Sequence, residues 1–464
     1  MKSHIANIAK QNPKHPTNHR DGLGVWRPFQ RLSLGLLAAI AVGTAAPRAI
    51  GGERPYHFQA VTYIGDPAPG GGAFANDFEP TALNNRGELA FTADLAVPGN
   101  EGQFEEGLFM ADGATVQQIV RHGQSAPGGG TFSVAELGNV GLNDAGDVAF
   151  AFSLEPFDFS VPYHGGVFRW SHATQTLSPV MIPNVTPDPN GGVFVGVDFG
   201  VSLNNQGALV FTGYVTNTPV GLNRAAFLQD KSGRITSIMR PGDSAPEGGT
   251  FIRAGGAFIN DAGDIALWGK TLNVPHYFQA YTRSFSTGAS RLLPQPAGVI
   301  GATPFGINNH GEVAIVGNYS APPGIGNVYL SDGASTTLVV AVGDPAPGGG
   351  NFSFITAAAT GANVALNNRG NIAFDAATDT GDEAVYFYSK TTKQLRRIAG
   401  IGTAIPGVGT IVSLEQGELM CCPPAPITGS PNSNVALNDR DQVAFVATVL
   451  DGTSVRGVLL LGTP

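Results

Sequence analysis

Apolar and polar positions alternate along this chain in short bursts, never in the three-to-four spacing of a helix. Leu89, Phe91, Ala93 and Leu95 share one face of a run, while Ala90 and Thr92 share the other. Val148, Phe150, Phe152 and Leu154 stand against Ala149 and Ala151 in the same way, as do Val443, Phe445, Ala447 and Val449 against Ala444 and Val446. A period of two predicts β-strands. A bulky face backed by a small-residue face predicts strands buried on both sides, because stacked sheets interlock best when bulk meets small residues. Glycine, proline, asparagine and aspartate punctuate the runs at regular intervals, as turns do in an all-β protein.

The punctuation repeats. Seven copies of Asn-x-x-Gly-x-x-Ala-Phe, or a close variant, begin at Asn84, Asn143, Asn204, Asn260, Asn308, Asn367 and Asn438, separated by 59, 61, 56, 48, 59 and 71 residues. Asparagine at the start of a type I turn and glycine at its fourth position suit a hairpin with a left-handed bulge residue. Hairpin geometry alone therefore accounts for the repeated Asn and Gly. The seventh copy places Asp441 where six have glycine, which predicts mild strain there and a gain of up to about 1 kcal/mol on Asp441→Gly. In the first unit the strands Gly107–Ala111 and Thr115–Val120 follow, joined by Asp112-Gly113-Ala114, a strong hairpin signal. Four antiparallel strands in about 60 residues make a propeller blade.

The two ends complete each other. The last unit has strands over 434–437, 442–449 and 457–461 and lacks a fourth. The run Phe58–Ile64 has no unit of its own, yet leads into Gly65-Asp66-Pro67-Ala68-Pro69-Gly70-Gly71-Gly72. That linker matches those after the fourth strands at Gly123–Gly130, Gly242–Gly249 and Gly343–Gly350. An N-terminal strand completing the last blade closes a ring and removes its free edges. The expected fold is a seven-bladed β-propeller of four-stranded antiparallel blades, one domain over residues 56–464.

The Asn-x-x-Gly-x-x-Ala-Phe units with Gly-Asp-x-Ala-Pro-Gly linkers resemble the bacterial exported tandem-repeat proteins named for the NxxGxxAF motif (the choice-of-anchor type), over nearly all of residues 57–464. The resemblance implies export and leaves the biochemical role open. Residues 1–46 fit that implication: six basic residues precede the apolar run Leu32–Ala46, which ends in small residues. This reads as an export signal cut between 45 and 49, with the mature protein periplasmic, cell-surface or secreted.

Without that segment 20 basic residues face 34 acidic ones, a net charge of −14. No basic stripe exists to track a phosphate backbone, which argues against nucleic acid. The C-terminal run 457–464 is too short to span a membrane, so no stable span is expected in the mature chain, and a monomer is expected. The two cysteines, Cys421 and Cys422, are adjacent and form no disulfide framework.

Chemistry is sparse. No HExxH, GxSxG, phosphate-binding loop, dinucleotide fingerprint or EF-hand loop occurs, and neither a cofactor nor a metal site is expected. The linker acids Asp66, Asp243 and Asp344 fall on one rim, where they could ring a cation or, as the favoured alternative, cap their own turns. Loops between second and third strands emerge on the same rim and vary most. Those of units two and four carry Phe157, Tyr163 and His164, and His276, Tyr277 and Phe278. Aromatic rings there could stack on a sugar or grip a peptide, or could tuck the loops onto the ring. The functional expectation is a non-catalytic extracellular binding or scaffold propeller, with a glycan or a protein as partner. The alternative is a carbohydrate hydrolase or lyase at the propeller mouth. Asp94, Glu105, Glu106, Asp158 and Asp198 are available acids for it, and no spacing assembles them.

Overall fold

The computed structural model describes residues 55–464 apart from 98, 100–103, 114, 134–139, 157–163, 273–277, 319–325, 356–363 and 415–434. All regular structure in these residues is β-strand, and the strands form seven antiparallel sheets, the blades of a seven-bladed propeller. Blade 1 shows the plan: Ala73–Leu83, Glu88–Ala96, Phe104–Asp112 and Thr115–Arg121 pair in chain order from the inside out. Among the described residues no helix is long and apolar enough to cross a membrane.

Closure is of the three-plus-one kind. His57–Tyr63 pairs antiparallel with Ser454–Thr463, running from His57 opposite Thr463 to Tyr63 opposite Val458. The edge that the last blade would expose is thereby covered. Phe58 seals the junction by meeting Phe445 edge-on at 5.5 Å and stacking on Tyr56 at 5.8 Å.

Both faces of each blade are buried, as the alternation predicts. Phe91, Ala93 and Leu95 pack with Ala444, Val446 and Leu459 of blade 7. Ala90, from the opposite face of the same strand, packs with Phe132, Val148 and Phe150 of blade 2. The bulky residues gather as rings of different strands in one blade: Phe91 stacks on Phe109 at 5.6 Å and Phe211 on Phe227 at 5.6 Å, and Phe374 stacks on Tyr386 at 5.8 Å. Each aromatic pair adds about 0.5–1.5 kcal/mol beyond the area it buries.

The turn residues behave as the repeat implies, with one correction. Gly87, Gly146, Gly207, Gly263, Gly311 and Gly370 all have φ between 77° and 92°, and Asp441 has φ 60°. Asp441 is not merely strained, however. Its carboxylate accepts from Asn367 Nδ2 at 2.8 Å and Asn371 Nδ2 at 2.9 Å and pairs with Arg369 at 2.9 Å, all on blade 6. Its carbonyl accepts from the Tyr56 hydroxyl at 2.6 Å. The three side-chain contacts are lost with glycine and stand against a left-handed cost of about 1 kcal/mol for aspartate, so a loss rather than a gain is expected from Asp441→Gly.

Candidate functional site

The propeller has two unlike rims. One carries the turns between first and second strands. There each repeated asparagine does more than close its own hairpin. The Asn84 side-chain oxygen accepts the amides of Arg86 and Glu88, both at 3.0 Å, and its Nδ2 donates to the Asn143 carbonyl of the next blade at 3.0 Å. The same link runs from Asn204 to Asn260, Asn260 to Asn308, Asn308 to Asn367, Asn367 to Asn438 and Asn438 back to Asn84, at 2.8–3.3 Å. These asparagines are only 3–4% exposed. An amide suits this position because it accepts from its own turn and donates to its neighbour at once.

The residue after each asparagine forms a second ring nearer the solvent. The backbone amides of Asn85, Asp144, Asn205, Asp261, Asn309, Asn368 and Asp439 each donate to the side-chain oxygen of the next member, at 2.7–2.9 Å, and the circle closes from Asp439 to Asn85. Asn85 Nδ2 bridges the carboxylates of Asp144 and Asp439, and Asn205 Nδ2 bridges those of Asp144 and Asp261. The two rings line a polar cavity of about 210 Å³, floored by Leu83, Leu142, Leu203, Ile259, Ile307, Leu366 and Leu437.

The opposite rim carries the linkers and the loops between second and third strands. The linker acids do not form a cation ring. The Asp66, Asp243 and Asp344 carboxylates accept the amides of Tyr63, Arg240 and Ala341 at 2.8–3.0 Å, each three residues back. Gln124, Thr186 and Thr403 cap the equivalent turns in the same manner. This is the turn chemistry of a short side-chain acceptor.

Blade 1 brings several carboxyl groups together on this rim. A bulge between Ala75 and Phe78 shifts the register of the first strand, with Asn76 at φ 46°. Phe78 points into the core shared with blade 7, so Asp77 and Glu79 point from the other side of the sheet, towards blade 2. Asp94 leaves the second strand on that side too, since Ala93 and Leu95 belong to the blade 7 core. Glu106 lies directly across from Asp94, and the Glu106 carbonyl accepts the His122 amide at 2.8 Å. His122 Nδ1 meets the Ser133 carbonyl of blade 2 at 2.7 Å. That fixes the ring proton on Nδ1, because a carbonyl only accepts.

Burial and mutual repulsion raise the carboxyl groups here. Asp77 is pushed up to about 7, first by burial and then by Glu79 and Asp94. Glu79 is raised by burial and by Asp94, and Asp94 is raised by burial against a hydrogen bond from Asn76. Asp77 Oδ1 is buried with no hydrogen-bond partner among the described residues. Crowding and burial of this kind favour the protonated form of each acid. No group of three or more His, Cys, Asp or Glu among the described residues could hold a metal ion.

Of the residues singled out from sequence, Phe157, Tyr163, His276 and Tyr277, together with Asp158 and Cys421–Cys422, lie outside the described residues. His164 returns to its own hairpin, with Nδ1 3.2 Å from the Leu154 carbonyl. Phe278 packs on Trp268 at 4.4 Å, and Arg224 covers the same indole at 5.0 Å. His164 and Phe278 belong to blades 2 and 4 and do not converge. Glu105 is held by Arg121 at 3.0 Å, and Asp198 lies on the strand Phe194–Leu203. Sequence reasoning reached Asp94 and Glu106 but missed Asp77 and Glu79, whose only signal was a pair of acids two residues apart, Asp77-Phe78-Glu79.

Residues 35–277 and 307–421 match a family described only as one of unknown function, DUF7453. The chain belongs to this family. No curated protein matches it significantly. Among solved structures, this DUF7453 protein is similar to an oligogalacturonate lyase in complex with manganese, at 14% identity over 88% of this chain and 96% of that one, with a TM-score of 0.49. It is also similar to the β-propeller domain of the trilobed protease from Pyrococcus furiosus, at 9% identity over 82% and 95% of the two chains, TM-score 0.46. An oligogalacturonate lyase from Vibrio parahaemolyticus matches at 11% identity over 88% and 97%, TM-score 0.46. At these identities the likeness is one of fold.

Proposed function

We propose that this DUF7453 protein is an exported, non-catalytic binding propeller that takes a glycan or a protein on the rim opposite the asparagine rings. The observation that carries this reading is the blade 1 group of Asp77, Glu79 and Asp94, which sits among otherwise self-capped linkers and keeps an unpartnered buried oxygen. A carboxyl group pushed up to about 7, as Asp77 is, both donates and accepts hydrogen bonds near neutrality, as recognition of hydroxyl-rich ligands requires. Export is supported by the basic and then apolar segment of residues 1–46 and by the likeness of the repeats to exported NxxGxxAF-repeat proteins.

A second reading is favoured by one feature: an acid pushed up to about 7 suits proton transfer at neutral pH. On that reading Asp77 is the acid of a carbohydrate-cleaving site. A glycan array followed by analysis of the bound glycans separates the two. A binder retains intact glycans and loses them on Glu79→Gln with Asp77→Asn, whereas an enzyme releases shortened products and loses that release on Asp77→Asn alone. Retention unchanged in the double variant would overturn the blade 1 assignment. Fractionation of producing cells tests export, which full-length protein in the cytoplasm would refute.

A further inference from the structure

The outer ring cannot alternate perfectly, because seven is odd. Its order is Asn85, Asp144, Asn205, Asp261, Asn309, Asn368, Asp439. Six of the seven steps set an amide beside a carboxylate, a donor beside an acceptor. The step from Asn309 to Asn368 sets amide beside amide.

The orientation of both amides is fixed by the backbone. Asn309 Oδ1 accepts the Asp261 amide at 2.9 Å and Asn368 Oδ1 accepts the Asn309 amide at 2.7 Å, which leaves each Nδ2 as the remaining end. Asn309 Nδ2 gives one hydrogen to Asp261 at 2.8 Å, and Asn368 Nδ2 gives one to Asp439 at 2.9 Å. Asn85 and Asn205 each use both hydrogens within the ring. Asn309 and Asn368 each keep one without an acceptor among the described residues, at the lip of the polar cavity of about 210 Å³.

We propose that this donor–donor step is a binding site for a neutral hydroxyl-rich ligand, such as a sugar with neighbouring hydroxyls. One ligand oxygen accepts from both free amide hydrogens. Its neighbouring hydroxyl donates to Asp261 or Asp439, each of which accepts three hydrogen bonds in the ring and has room for about one more. An anion fits worse, because it would face both carboxylates. The ring needs no rearrangement to bind, since each member is held by its neighbour's backbone. The site lies on the rim opposite the blade 1 acids and stands or falls independently of them.

Parity also supplies the test. Asn368→Asp keeps the shape and the acceptor for the Asn309 amide, but moves the mismatch to a carboxylate pair with Asp439. Asn309→Asp does the same with Asp261. Either change turns a site for an acceptor oxygen into a site for a donor. The full chain labelled with 15N-asparagine is titrated with methyl glucoside, with glucuronate and with ammonium, and the side-chain amide signals lost in each variant identify Asn309 and Asn368. In the unaltered protein both signals should shift saturably with methyl glucoside, at an affinity on the order of millimolar. Binding of the glucoside should weaken about ten-fold or more in either variant, while ammonium binding appears. Unmoved signals up to about 100 mM glucoside, or equal glucoside binding in both folded variants, overturn the proposal. A preference for glucuronate over the glucoside overturns the neutral-ligand assignment.

Discussion

The asparagine rings and the blade 1 carboxyls are both dense polar clusters, and they are built on opposite terms. In the rings nearly every donor meets an acceptor, and the geometry recurs blade after blade. At blade 1 acids face acids and one buried oxygen has no partner, and among the described residues no other blade gathers raised carboxyl groups in this way. A satisfied network is rigid and specifies the fold, whereas an unsatisfied one stores unfavourable energy that only a ligand or a proton relieves. Repetition therefore marks the scaffold and departure from repetition marks the place to look for chemistry. The exception is the Asn309–Asn368 step, where strict repetition itself fails on parity.

The largest effect should come from opening the ring of blades. A chain beginning at Gly65 lacks His57–Tyr63, exposes the edge of Ser454–Thr463 and removes the Phe58–Phe445 contact. Cooperative unfolding by circular dichroism should disappear altogether. If the shortened chain melts as sharply as the full one, the side-chain rings hold the propeller shut without the strand.

Next in size is a break in the inner ring. Asn204→Ala strands the amides of Gln206 and Ala208 and the carbonyl of Asn260. One buried and two part-buried hydrogen bonds lost together should cost about 2–4 kcal/mol, read as a lower denaturant midpoint. The loss should be nearly independent of pH, because no carboxyl group takes part in those three bonds. A change under about 0.5 kcal/mol would show that turn geometry alone holds the blades in place.

Blade 1 should respond with the opposite sign. Asp77, Glu79 and Asp94 bind protons more tightly folded than unfolded. Their contribution is therefore most favourable below the unfolded carboxyl range and is lost as pH rises through the folded value, about 7 for Asp77. The protein should be more stable near pH 5 than near pH 8. Asp77→Asn should raise stability at pH 8 by about 1–3 kcal/mol and flatten the profile of melting temperature against pH. A variant less stable at pH 8 would mean that Asp77 is satisfied in the folded protein, and the contrast between the two clusters would fail.

The sequence showed the two regions unequally for a physical reason. Period-two alternation and seven evenly spaced turns are local signals, so strands such as Val148–Glu155 and the closure by residues 57–63 could be read directly. Asn84 could be read as a turn residue but not as an interblade strap, because its partner Asn143 is 59 residues away. The carboxyl group was harder still. Asp77 and Asp94 meet only because a bulge after Ala75 shifts the register, and a bulge leaves little trace in a hydrophobic pattern. The linker aspartates, by contrast, cap turns three residues back and were legible from proline and glycine alone.

Asp441 sharpens the comparison at the smallest scale, as a carboxylate placed among donors and not among acids. From sequence it is the one repeat that breaks the glycine rule, and glycine would relieve a left-handed backbone at φ 60°. The side chain, however, ties blade 6 to blade 7 through Asn367, Asn371 and the half-exposed Arg369. Two hydrogen bonds from neutral amides to a carboxylate are worth about 1 kcal/mol each or somewhat more, and the exposed ion pair adds little. Against them stands about 1 kcal/mol of backbone relief. Asp441→Gly should therefore lose about 1 kcal/mol, and Asp441→Asn, which keeps one acceptor and tolerates the same φ, should lose less. A melting temperature that rises for Asp441→Gly would mean that strain outweighs the strap. The seventh turn would then be held by the Tyr56 hydroxyl on the Asp441 carbonyl, a contact that glycine preserves.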